Sequence, residues 1–402
     1  MIKLLSLFSG IGAFEKALSN LQIPVETVNY CEIDKYAAKA YSLIHGIAES
    51  KNLNDVTTIK TELLPNDIDF LTYGFPCQDI SNAGLQKGFT DTNGNLTRSG
   101  LFFEALRIIE ACKPKIAIAE NVKALTTERF TAEFATVLNC LQAAGYYNYW
   151  AVLNAKDYGT PQNRERVFIV SIRNDIDKGF KFPAGFELKT RLIDVLESDV
   201  DKKFYLSNSR ISALLAHKAR NEENGNGFGA QIVTKESVYS HTITTDPDKS
   251  AGQYLAIKDN TKKGFAEAEP GDYVNLKFDS SKSRRGRVQK GMAQTIICED
   301  MAAVVESNLK IRKLTPLECF RLMAFNDSDY KVLAENGISN SQIYKMAGNS
   351  IVVSVLEYLF SAIFNQYGDI FETGKTAEEF GKLIKYDPQQ MTFDDLFKLG
   401  EY

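Results

Sequence analysis

Histidine and tryptophan are scarce in this chain: three histidines (His45, His217, His241) and a single tryptophan stand among 402 residues. The six cysteines, Cys31, Cys77, Cys112, Cys140, Cys298 and Cys319, are widely scattered and form no Cys-x-x-Cys pair. Zinc sites need closely spaced Cys and His ligands, and small secreted folds need paired cysteines, so neither a metal nor a disulfide framework is expected. Such cysteine usage fits a reducing cytoplasm. No apolar run approaches the roughly 20 residues that span a bilayer, so no membrane partner is expected either. The apolar start resembles a short signal peptide, but it breaks at a glycine-rich turn with no small-residue cleavage site after it. It reads as a buried first strand.

A chain of 402 residues exceeds the roughly 250 to 300 that one core holds, so two domains are expected. The net charge of −4 argues against a nucleic-acid partner only until its distribution is considered. Residues 366–402 carry eight acidic and four basic side chains, which accounts for the whole excess. Elsewhere the charge is balanced. Within that remainder Lys282, Arg284, Arg285, Arg287 and Lys290 form a stretch with no acid between them. This is either a phosphate-binding patch or a solvated loop.

Short apolar runs at 4–8, 25–31, 68–73, 116–119, 147–153 and 167–172 alternate with amphipathic segments at 13–21, 36–44, 101–112 and 134–144. That alternation predicts an α/β fold with a doubly wound sheet, whose ligands bind at the carboxyl ends of the strands. The pattern decays after Phe182-Pro183, where Gly-, Asn- and Lys-rich segments interrupt short strand-like runs. The expected organisation is a first domain at 1–181 and a smaller loop-rich domain at 182–325. A return segment at 326–365 then completes the first domain, and an acidic extension occupies 366–402.

Three places carry chemistry. The turn Phe8-Ser9-Gly10-Ile11-Gly12 follows the first strand, where glycines let the backbone bend sharply and approach a ligand. Glu32 ends the second strand, where such folds put a carboxylate on ribose hydroxyls. Glu15 stands where the last glycine of a pyrophosphate fingerprint belongs, so a ligand with ribose and adenine but no pyrophosphate is preferred over NAD. Asp55 either accepts from an adenine amino group or caps a turn. Next, Gly74-Phe75-Pro76-Cys77-Gln78-Asp79-Ile80-Ser81 puts a cysteine at a strand end, either as a nucleophile or as a small buried hydrophobe. Glu120-Asn121-Val122 ends another strand, so acid and thiol can face one cleft. Finally, Arg164 and Arg166 in Gln162-Asn163-Arg164-Glu165-Arg166 share a face in extended backbone. A thiol, an acid and paired arginines suit attack on an electron-poor ring carbon.

In order and spacing these motifs, together with Arg312-Lys313-Leu314-Thr315-Pro316-Leu317-Glu318-Cys319 and Gly348-Asn349-Ser350, resemble the bacterial and phage cytosine-5 DNA methyltransferases. The resemblance runs from the first strand to about Phe364 and leaves out the acidic extension. It implies an S-adenosylmethionine-dependent methyltransferase sheet in the first domain and target recognition in the second. By the same resemblance Cys77, Glu120, Arg164 and Arg166 are catalytic. Phe8, Gly10, Ile11, Gly12, Glu32, Ile33, Asp55, Val56, Pro76, Leu101 and Asn349 line the S-adenosylmethionine pocket. DNA contacts are expected from Gln78, Ser81, Arg284, Arg285, Arg287, Gln289 and Thr295. Gly291-Met292-Ala293-Gln294-Thr295-Ile296 looks like the family's short recognition signature, and His241-Thr242-Ile243-Thr244-Thr245 competes for that role. Residues 93–97 lengthen the loop after the nucleophile beyond the usual pattern.

A monomer acting on duplex DNA in a bacterial cell, phage-encoded or not, is the expected protein. An RNA cytosine-5 methyltransferase of the tRNA-modifying branch shares the catalytic pieces, but the long 182–310 region favours a DNA reader. A non-catalytic DNA-binding relative is disfavoured by intact Cys77, Glu120 and both arginines.

Overall fold

The computed structural model describes residues 1–76, 98–205, 311–371, 375 and 379. Between 206 and 310 it describes only the strand pieces 256–257, 266–267, 273–275, 288–289, 293–294 and 302–305. Two compact units are present. The first comprises Met1–Leu153, Glu165–Gly185 and Val355–Tyr402, and the second Asn154–Arg164 and Phe186–Ser354. The second unit therefore reaches Ser354, beyond the expected boundary at 325.

In the first unit, β1 (Ile2–Leu7), β2 (Val25–Cys31), β3 (Phe70–Tyr73), β4 (Ile116–Val122), β5 (Tyr146–Asn154) and β7 (Glu165–Arg173) form one sheet in the order β2-β1-β3-β4-β7-β5. The pairs β1–β2, β1–β3 and β3–β4 are parallel, and β7 runs antiparallel to β4. β1 is buried at every position but Lys3, as a central strand covered on both faces must be. Alternation splits its side chains between two cores. Leu5, Leu7, Leu71, Tyr73, Ala117, Ala119, Val167 and Ile169 pack with α3 (Phe102–Cys112) and α4 (Thr131–Ala143) in one cluster. On the other face, Phe70 meets Phe360 and Phe364 of the helix Val353–Tyr367 edge to face, with centroids 5.6 and 5.8 Å apart. Phe70 also stacks on Phe371 at 4.8 Å.

That helix belongs to an apolar stretch longer than the sequence alone suggests. The stretch Asn340–Ile370 is apolar and long enough to cross a membrane by composition. Here 78% of its most apolar window is buried, and the helix is interrupted at 350–352, so this stretch is core.

β1 has β2 on one side and β3 on the other, so the chain reverses its winding at β1. Doubly wound sheets open a ligand crevice at the carboxyl end of such a strand. α1 (Ala13–Asn20) follows that end, and α2 (Lys35–His45) follows β2 with Asp34 capping the Tyr36 and Ala37 amides.

In the second unit β6 (Gln162–Asn163) runs parallel to β12 (Ala293–Gln294), and β8 (Ala256–Ile257) runs antiparallel to β9 (Ala266–Glu267). β10 (Tyr273–Asn275), β11 (Val288–Gln289), β13 (Ala302–Val305) and β14 (Ile311–Lys313) pair antiparallel in the order β11-β10-β13-β14. The helix Pro316–Leu322 starts at a capping box in which Thr315 and Glu318 satisfy each other's backbone amides. Glu318 is fully buried and also takes both guanidinium nitrogens of buried Arg312, at 2.8 and 2.9 Å.

Candidate active site

Register alone brings the motifs together. Cys31, Leu7, Tyr73 and Ala119 are partners across four strands, so Glu32, Phe8, Gly74 and Glu120 lie one residue beyond that row at the carboxyl end. From the sequence, β4 is expected to end at Ala119, yet it continues to Val122. Its antiparallel partner carries it on, pairing Glu120 with Phe168, Asn121 with Val167 and Val122 with Arg166.

At the first corner the turn after β1 is left-handed at Phe8, Gly10 and Gly12, with φ of 53°, 56° and 78°. Glu32 braces it, because Oε2 accepts from the Gly10 amide and Oε1 from the Asp34 amide, both at 2.8 Å. Asn52 in turn holds the Glu32 backbone, its Oδ1 accepting from Glu32 N and its Nδ2 donating to Glu32 O, each at 3.0 Å. No motif marks Asn52. Its only signal is the polar run Asn52-Leu53-Asn54-Asp55, typical of a turn. Ile33 is 73% exposed beside Glu32. Asp55 caps the turn Val56–Thr58, with Oδ1 accepting from Thr57 N at 2.9 Å and Thr57 Oγ1 at 2.8 Å. Val56 is buried in the core shared with α3 and α4, and Phe8 and Leu101 pack against that core half-buried.

An S-adenosyl ligand fits this corner on the structure's own terms. Among the described residues a β-carbon at Gly10 would meet nothing within 4 Å, which suits close approach of a ligand to the backbone there. A carboxylate such as that of Glu32 is the acceptor type that ribose hydroxyls require.

The second corner joins acid, arginine and the segment entering Cys77. Glu120 Oε1 lies 3.0 Å from Arg166 Nε, with the two side chains 12% and 13% exposed. Arg166 Nη1 also donates to the Glu165 carbonyl at 2.8 Å, which fixes the plane of the guanidinium. Asn121 Nδ2 donates to the Phe75 carbonyl at 3.0 Å. Gly74 lies beside the acid: a β-carbon there would be in ordinary contact with Glu120 Oε2, at 3.6 Å. Pro76 is half-buried and is the last described residue before 98.

The two arginines have different partners. Arg164 falls in the break between β6 and β7, is 3% exposed, and donates through Nη2 to the carbonyls of Gly348 and Ser350 at 3.2 and 2.6 Å. Both bonds lie in the second unit and hold the turn on either side of Asn349.

Cys77, Gln78, Ser81, residues 93–97, Arg284, Arg285, Arg287 and Thr295 lie outside the described residues. Gln289 sits in β11, paired with Tyr273. Burial raises the thiol pKa of every described cysteine: Cys31 to about 12, Cys112 to about 11, Cys319 well above its ordinary value, and Cys140 upward. None of these four is poised as a thiolate. Among the described residues no group of three or more His, Cys, Asp and Glu side chains is placed to hold a metal ion.

Sheet order and ligand turn define an α/β methyltransferase fold. The chain belongs to the C-5 cytosine-specific DNA methylase family, whose model matches residues 2–365. It is therefore a cytosine-5 DNA methyltransferase, which methylates cytosine in DNA. It is similar to the orphan methyltransferase M.SPRI of Bacillus phage SPR, 33% identical across 91% of this chain and 98% of that protein. The type II methyltransferase M2.ScrFI of Lactococcus lactis subsp. cremoris is 36% identical across 78% of this chain and 71% of its own length. Among solved structures, the Entamoeba histolytica methyltransferase EhMeth matches with a TM-score of 0.63 at 18% identity, covering 92% of this chain and 99% of that one. S. pombe Dnmt2 matches at 0.60 and 21%, covering 91% and 99%. At those identities the structural likeness speaks for the fold alone.

Proposed function

We propose that this enzyme transfers a methyl group from S-adenosylmethionine to carbon 5 of a cytosine flipped out of duplex DNA, through a covalent adduct on Cys77. The observation that carries this reading is the bond from Asn121 to the Phe75 carbonyl. It ties the strand bearing Glu120 to the backbone that leads into Cys77.

Cytosine carbon 5 is a weak nucleophile within an aromatic ring. The Cys77 thiolate adds to carbon 6, while Glu120 at N3 and Arg166 at O2 stabilise the displaced electron density, which leaves carbon 5 enamine-like. Bound S-adenosylmethionine supplies an electrophilic methyl group on a sulfonium. The carbon 5 proton then passes to water, and its electron pair re-forms the C5–C6 double bond as the Cys77 thiolate is expelled, which releases 5-methylcytosine. Glu32 takes the ribose hydroxyls, with Phe8, Gly10, Ile11, Gly12, Ile33, Asp55, Val56, Pro76 and Leu101 around the ligand. Arg164 contributes by holding the turn that carries Asn349. Flipping is required because a stacked base hides both faces of its ring, at a cost of a few kcal/mol. Base reading is assigned to 182–310, and Gln78 and Ser81 are assigned to DNA binding.

Incubation with labelled S-adenosylmethionine and either duplex DNA or tRNA, followed by nucleoside analysis, tests the reading. Label in 5-methylcytosine of duplex DNA is expected. Label only in tRNA, or at another position of the base, overturns it.

A further inference from the structure

His45 closes α2 far from any motif, yet its ring lies against the ligand turn. Its Nε2 is 2.9 Å from the Ile11 carbonyl. A carbonyl can only accept, so Nε2 carries the proton and donates. Ile11 is 2% exposed, and its buried carbonyl needs such a partner. The same ring fills the space beside Gly12, where a β-carbon would meet Nε2 at 2.2 Å and Tyr41 Cε2 at 2.9 Å. Behind it the support is rigid: Tyr41 packs on His45 with centroids 4.9 Å apart and stacks on Tyr30 at 4.0 Å. Tyr41 also donates to buried Glu15 of α1 at 2.8 Å.

We infer that His45 is a positioning residue for the ligand turn. It acts through Ile11 and Gly12 without touching the ligand. The β2–α2 unit thus grips the turn twice, with Glu32 on the Gly10 amide at the front and His45 on the Ile11 carbonyl behind. Losing the rear grip leaves the Ile11 carbonyl unpaired and lets a turn with left-handed residues relax, so the free turn no longer presents the ligand-binding geometry.

This inference rests on the proposed S-adenosylmethionine site, and calorimetric titration of S-adenosylhomocysteine into the purified protein tests it. His45→Phe keeps a ring and loses the donor, and weakening of about tenfold is expected, the scale of one lost hydrogen bond. His45→Gln restores an N–H at similar reach and should bind within about threefold of the parent. Duplex DNA affinity of His45→Phe should stay within about twofold, which a general loss of folding would not allow. Parental affinity in His45→Phe, or equal weakening in His45→Gln and His45→Phe, overturns the inference. Glu32→Ala separates the two readings: if it too binds at parental affinity, the ligand site itself is misassigned.

Discussion

Glu120 and Arg166 neutralise each other 3.0 Å apart in a site that leaves each about one-eighth exposed. Glu120→Gln keeps the shape but removes the charge and the proton-handling carboxylate. Turnover should fall by about 10² to 10⁴, the usual weight of acid–base assistance, with S-adenosylhomocysteine affinity unchanged. Near-parental turnover in a single-turnover assay would show that Glu120 only orders Arg166. Cys77→Ser should abolish methyl transfer and leave ligand binding intact, because an alcohol is a far weaker nucleophile than a thiolate. Residual turnover above about one per cent, measured by filter binding, would remove Cys77 from the mechanism. Glu32→Ala should weaken S-adenosylmethionine binding by about 1 to 3 kcal/mol, the scale of a charge-assisted hydrogen bond together with the freed Gly10 and Asp34 amides. Glu32 and Glu120 were legible in the sequence because each ends an apolar run. Asn52 and His45 were not, because their partners are backbone groups that no side-chain pattern announces.

Strands and helices of the first unit were readable from periodicity, since a strand buried on both faces must be apolar throughout and a helix on its face must alternate. Their ends were less so. β4 gains Glu120, Asn121 and Val122 only because an antiparallel neighbour is present to pair with them. In the second unit the Arg312–Glu318 pair occupies the start of the helix Pro316–Leu322, with side chains 1% and 0% exposed. Glu318→Ala takes the carboxylate away from a buried guanidinium and from the Thr315 amide, and should lower stability by about 3 to 5 kcal/mol. A midpoint in urea unchanged from the parent would show that water replaces the carboxylate. In sequence this segment reads as a motif; in the structure it is a buried ionic knot joined to a helix cap.

Specificity belongs to the scale of the whole molecule, because in the proposed mechanism the catalytic residues act only on the cytosine. Exchanging 182–310 for the corresponding region of a relative with another target should transfer the methylated sequence, as mapped across a plasmid. A hybrid that is active and still modifies the parental sites places recognition elsewhere. Alanine at Arg284, Arg285 and Arg287 should flatten the dependence of log K on log salt by about 0.9 for each phosphate that is no longer neutralised. A parental slope would identify that stretch as a solvated loop. By itself the sequence determined the fold class and which residues are candidates for the chemistry, because apolar periodicity and residue type are local properties. Only the tertiary structure decided which groups meet. Strand register, a relation between segments distant in the chain, set Glu32, Phe8, Gly74 and Glu120 along one edge. Partner geometry gave Arg166 to Glu120 and Arg164 to the Gly348 and Ser350 carbonyls, although two positions in the same motif look equivalent until their neighbours are in place.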